Sequence, residues 1–75
     1  MHIQLKLFAT LGAYAPADCE HFAIAPGATV ADIIRQLGIP SREAKLIFVN
    51  GVKRNPEAPL ANGDRLGIFP PVGGG

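Results

Sequence analysis

Thr29-Val30-Ala31-Asp32-Ile33-Ile34-Arg35-Gln36-Leu37-Gly38 spells out one helix with both of its ends. Val30, Ile33, Ile34 and Leu37 recur at i, i+3, i+4 and i+7, which sets four apolar side chains on one face. Thr29 followed three residues later by Asp32 is a capping-box pattern. The threonine oxygen takes an otherwise unpaired backbone N–H, and the carboxylate reaches back to the N–H of Thr29. Gly38 supplies a left-handed residue to close the last turn, and Pro40 cannot extend it. A helix over Val30 to Leu37 with a single apolar stripe needs one sheet face to bury it, and the flanking sequence must provide that sheet.

Strands are written on both sides of the helix. Upstream, Ile3, Leu5 and Leu7 alternate with His2, Gln4, Lys6 and Phe8, the period of two of a half-buried strand. After a loop rich in small residues through Pro16 and Asp18, Phe22 and Ile24 repeat that period until Pro26-Gly27 stops it, which makes an antiparallel pair the expected arrangement. Downstream, Ser41 is placed to cap a short turn over Arg42 to Ala44. Leu46-Ile47-Phe48-Val49 then runs into Asn50-Gly51, a strong hairpin signal, so Val52 and Lys53 should begin a return strand. Pro56 and Pro59 keep the next stretch irregular, Asn62-Gly63-Asp64 turns the chain, and Arg65 to Phe69 reads as a last strand. The expected fold class is α+β, with a mixed sheet of four to five strands packed on one main helix. Residues 1–69 would form the body and 70–75 a flexible arm.

Composition narrows the functions open to such a body. With 75 residues there is room for one small domain, and 48% hydrophobic against 17% charged residues is too apolar for a disordered chain. Seven Lys and Arg against six Asp and Glu form no basic block, so no nucleic-acid partner is expected. One cysteine, Cys19, and two histidines, His2 and His21, fall short of a zinc-ligand set, and the lone cysteine makes no intrachain disulfide. No stretch approaches a membrane span and the N-terminus lacks the order of a signal peptide, so a cytoplasmic protein without a membrane partner is the expectation.

Strand parity assigns the second face of the sheet. If Ile3, Leu5, Leu7, Ile47, Val49, Leu66 and Ile68 face the helix, then Phe8, Phe48 and Phe69 point the other way together with Lys6 and Arg65. An aromatic cluster rimmed by cations on an uncovered sheet is a candidate docking surface. Lys45, Lys53 and Arg54 read as ordinary polar positions near turns, any of which could meet an acidic rim on a partner.

The remaining feature is the ending, Phe69-Pro70-Pro71-Val72-Gly73-Gly74-Gly75. Two prolines stiffen the exit from the last strand, and the glycines that follow remove every side chain near the carboxylate. Six extended residues would carry that carboxylate roughly 20 Å from the sheet, far enough to enter a deep site on another protein. A carboxylate is a poor electrophile and must be converted to a mixed anhydride before sulfur or nitrogen attacks it. ATP, with Mg²⁺ on the activating enzyme, is the reagent suited to that step, and no cofactor bound by this chain is needed.

The layout, with Val49-Asn50-Gly51, Leu60-Ala61-Asn62-Gly63-Asp64 and the ending from Gly67 to Gly75, resembles the ubiquitin-like β-grasp sulfur carriers, the ThiS/MoaD-like proteins. That family contains the molybdopterin synthase small subunit and the thiamin-pathway sulfur carrier. The resemblance implies a protein cosubstrate rather than an enzyme. Gly75 would be adenylated by a ubiquitin-activating-type adenylyltransferase, converted to a thiocarboxylate, and presented to a sulfur-accepting synthase subunit. Gly74 matches the penultimate glycine. Gly73 departs mildly from the alanine, serine or other small residue often found there. With Gly75 last, no maturation protease is required. The long first loop from Ala9 to Asp18 and the Phe-Pro-Pro-Val arm resemble the molybdopterin branch more than the thiamin branch. Two other readings share the same end: a ubiquitin-like modifier joined to lysines of other proteins, and a non-catalytic subunit that fills a partner's pocket with its arm.

Overall fold

A computed structural model describes residues 1–71. Five strands, β1 (His2–Leu7), β2 (Phe22–Ala23), β3 (Leu46–Val49), β4 (Val52–Lys53) and β5 (Arg65–Phe69), form one sheet, with a single α-helix, α1 (Val30–Leu37), inserted between β2 and β3. The strand order is β2-β1-β5-β3-β4. β1 and β5 run parallel, with Leu5 opposite Leu66 and Leu7 opposite Ile68, and the other pairs are antiparallel. β5 therefore occupies the centre, and Leu66 and Ile68 are fully buried.

The helix forms as its sequence dictates. Thr29 Oγ1 accepts from the Asp32 N–H at 3.3 Å while Asp32 Oδ2 accepts from the Thr29 N–H at 2.9 Å, and Gly38 closes the helix at φ 78°. The backbone hydrogen bond from Thr29, followed by the hydroxyl contact of the same residue and the charge of Arg35, holds the Asp32 carboxyl below its ordinary value. Val30, Ile33 and Ile34 pack down onto Ile3, Leu5, Ile47, Val49, Leu66 and Ile68 of the sheet. The parity expected for β1, β3 and β5 holds throughout, with Leu7 only half-buried.

Three segments differ from expectation. The first loop contains a 3₁₀ helix, Ala9–Tyr14, whose Leu11 is completely buried in the core. The turn after α1 is a 3₁₀ helix over Ser41–Glu43, but Pro40 occupies the N-cap position and no side chain caps it, so Ser41 is not the cap. The proline-rich stretch is irregular yet not peripheral. Ala58 and Leu60 are buried, and Pro59 bridges to Thr29, so this segment closes the core beside the start of α1.

Candidate functional site

The open face of the sheet and the exit of the C-terminal arm lie together. Register across the strands places Lys6 beside Gly67, Gly67 beside Phe48, and Phe48 beside Lys53. One step further along, Leu46 lies opposite Phe69, and the Phe8 N–H donates to the Ile68 carbonyl at 3.1 Å. The rings of Phe8 and Phe69 stack with centroids 4.0 Å apart and planes within 3°, and Phe48 meets Phe69 edge-on at 5.7 Å. Phe8, Phe48 and Phe69 thus share one face with Lys6 and Arg65, and together they line a depression of about 330 Å³.

Gly67 floors that depression. Its φ is not in the left-handed region, and an added Cβ would make ordinary contact, 3.4 Å, with the Phe8 ring. The backbone does not require glycine here, and glycine in mid-strand weakens a sheet. The consequence is a low point in the row between Lys6 and Phe48, bordered on one side by the edge of the Phe8 ring.

Two backbone features hold the rings. Phe8 is extended, and Ala9 then adopts φ 52°, a left-handed conformation that costs a non-glycine residue about 1 kcal/mol. That turn sends the chain into the 3₁₀ helix, where the Leu11 N–H donates to the Phe8 carbonyl and the Leu11 side chain anchors in the core. Phe8 is held between this anchor and β5 while the residue stays 37% exposed. On the opposite side, the Lys45 N–H donates to the Phe69 carbonyl at 3.0 Å. Pro70 and Pro71 bring no N–H to the ladder, so pairing ends there and the arm leaves directly beside the ring stack.

The far end of β5 is fixed by polar contacts. Asn50, at φ 54°, accepts from the Arg65 N–H through Oδ1 and donates through Nδ2 to Asp64, each at 2.9 Å. Asp64 in turn accepts from the Ala61 N–H, and Asn62 accepts from the His2 N–H. The hairpin, the last turn and the first strand are stitched together at this point, so β5 is held at both ends.

The charged residues lining the aromatic depression, Lys6 and Arg65, are both cations, while Glu20 lies beside Gln4 and shares the neighbouring depression with Arg65. Arg35–Asp32, on the helix side, is the one ion pair among the described residues, which leaves Lys6, Arg65 and Lys53 outside any such pair. Lys53 had no claim on this face from sequence alone. It gains one because it is registered with Phe48, and only the two-residue spacing of the Asn50-Gly51 turn could have signalled that pairing. A second, polar depression of about 630 Å³ lies toward the β2 edge, with His2, Gln4, Glu20 and His21 around it. No group of three metal-ligating side chains comes together among the described residues. Cys19 is half-buried with its thiol 3.7 Å from the Pro16 carbonyl.

Gly73, Gly74 and Gly75, expected from the sequence to carry the chemistry, lie outside the described residues. The profile of the ThiS family matches residues 5–75, from the first strand through the terminal glycines. The chain belongs to the ThiS family. Among solved structures, this ThiS-family chain is similar to SAMP1 from Haloferax volcanii, with 28% identity over all of both chains and a TM-score of 0.74. It is also similar to a putative molybdopterin converting factor, subunit 1, from Pyrococcus furiosus, with 27% identity, 93% of this chain and 97% of that one covered, and a TM-score of 0.70. No curated protein matches the sequence. The five-stranded mixed sheet with its helix is the ubiquitin-like β-grasp of this family, whose members are small carriers or subunits rather than catalysts. Among the described residues no helix is long and apolar enough to cross a membrane.

Proposed function

We propose that this ThiS-family protein carries sulfur as a thiocarboxylate on Gly75 for the biosynthesis of a sulfur-containing cofactor, of the molybdopterin type in preference to the thiamin type. The observation that carries the reading is the family match extending through a side-chain-free Gly73-Gly74-Gly75 end. The Gly75 carboxylate oxygen attacks the α-phosphorus of ATP on a ubiquitin-activating-type adenylyltransferase. Pyrophosphate leaves and an acyl-adenylate forms. Hydrosulfide then adds to the acyl carbon, AMP departs and the sulfur loses its proton, leaving the thiocarboxylate. Mg²⁺ on the activating enzyme offsets phosphate charge in the first step.

In this reading the folded body is a handle. Phe8, Phe48 and Phe69, with Lys6 and Arg65 at the rim, dock the activating enzyme and then a sulfur-accepting synthase subunit, while Gly73 and Gly74 thread the narrow approach to each active site. Preference for the molybdopterin type is supported by the similarity to the molybdopterin converting factor subunit and by the Phe69-Pro70-Pro71-Val72 arm.

Incubation with the host's purified adenylyltransferase, ATP and Mg²⁺, followed by intact-mass analysis, tests the proposal. The expected products are an adenylate adduct and, with a sulfur donor, replacement of one oxygen by sulfur, both lost in a chain lacking Gly75 or extended by one residue. Adducts linked through Gly75 to lysines of other proteins would instead establish a protein modifier.

A further inference from the structure

The open-face depression has a shape and a charge pattern that define what fits it. We propose that the gap over Gly67 is a socket for one apolar side chain of a partner protein, and that carboxylates flanking that side chain pair with Lys6, Arg65 and Lys53. This deepens the docking role assigned above by naming the partner's chemistry.

Glycine at the centre of a central strand is a choice the backbone does not demand, since Gly67 has an ordinary φ and room for a methyl group. Its effect is to open about 330 Å³ framed by Phe8, Phe48 and Phe69, near the lower end of the range, about 300–1,000 Å³, that holds buried ligand groups. Held rings around a gap form a rigid apolar wall, the setting in which an anchor side chain contributes most to binding. Lys6 and Lys53 stand at the two ends of the Gly67 row, in β1 and β4, and Arg65 lies two residues before Gly67 in β5. A partner residue seated over Gly67 therefore has Lys6 and Arg65 in the wall around it, and Lys53 lies one strand beyond Phe48, within reach of a longer acidic segment. A basic or uncharged rim would leave these cations unmatched, whereas an acidic one supplies attraction and register.

The purified host adenylyltransferase is the probe, with affinity measured by calorimetry and folding by thermal denaturation. Gly67→Leu fills the socket, its atoms beyond Cβ competing with the Phe8 ring, so it should weaken binding by about tenfold or more while thermal denaturation remains a single cooperative transition. Gly67→Ala, the milder variant, should weaken it less and guards against a folding failure of the first. Lys53→Glu should raise the dissociation constant several-fold at low salt and by less at high salt. Unchanged binding by both Gly67 variants, or tighter binding by Lys53→Glu, overturns the socket.

If the adenylyltransferase does not bind the wild-type chain, the functional proposal fails, and the socket is decided by nuclear magnetic resonance titration with two peptides. A leucine pair flanked by glutamates should shift the Gly67 and Phe48 amides, and the same pair flanked by lysines should not. Equal shifts, shifts elsewhere or none overturn the proposal. So does evidence in the same spectra that a second copy of the chain, or its own residues 72–75, fills the site.

Discussion

The two faces of the sheet are made from similar residues and do opposite things. The inner face sets Ile3, Leu5, Ile47, Val49, Leu66 and Ile68 under α1, all with 5% exposure or less. The outer face sets Phe8, Phe48 and Phe69 against one another, with Phe8 exposed and Phe48 and Phe69 half-buried. Apolar character alone therefore does not distinguish the core from the open face here. Coverage does, and coverage follows from where the helix and the irregular segments pack. The inner face supplies the stability, and the outer face leaves apolar area that no other element among the described residues covers.

The sharpest way to break that contrast is to exchange large for small on each face. Leu66→Ala should destabilise the fold by about 2–5 kcal/mol, read from urea denaturation, because the cavity is walled in on every side. Phe8→Ser removes a ring stacked at 4.0 Å and should cost about 1 kcal/mol of stability while weakening adenylyltransferase binding far more. A Phe8 variant as unstable as the Leu66 variant would place that ring in the core. Ala9→Gly tests how the outer face is held. Relief of the left-handed strain should raise stability by about 0.5–1 kcal/mol, and a wider range of Phe8 positions should weaken docking slightly.

The smallest effect concerns the helix that makes the inner face what it is. The Asp32 carboxyl is held below its ordinary value by the Thr29 hydrogen bonds. Its contribution is therefore complete at neutral pH and lost as pH falls below about 4 and through the depressed folded value. The thermal midpoint of Asp32→Asn should lie below that of wild type at pH 7 and converge on it in acid.

Local signals were legible and tertiary ones were not. Thr29, Asp32 and Gly38 marked the helix because caps act within one turn, and alternation marked both faces of β1, β3 and β5 because the period of two is intrinsic to a strand. The three aromatic positions and Lys6 and Arg65 followed from the same parity. Leu11 was hidden because Ala9–Tyr14 carries no apolar period, and its burial depends on the β1–β5 pairing above which it lies. Ala58 and Leu60 were hidden among prolines, in a segment whose backbone bonds across to residues 28–31 around Thr29, far from it in sequence. Lys53 and Gly67 look unremarkable along the chain. They become part of the site only when register sets them beside Phe48, which is information held between strands rather than within one.

The parallel pairing of β1 with β5 also governs when this protein can come into being on the ribosome. Gln4 waits for Arg65, so the earliest strand made has no central neighbour until almost everything else has been translated. Until then the nascent polypeptide exposes both halves of an unfinished interior, a state that relies on holding factors or rapid completion rather than stepwise folding.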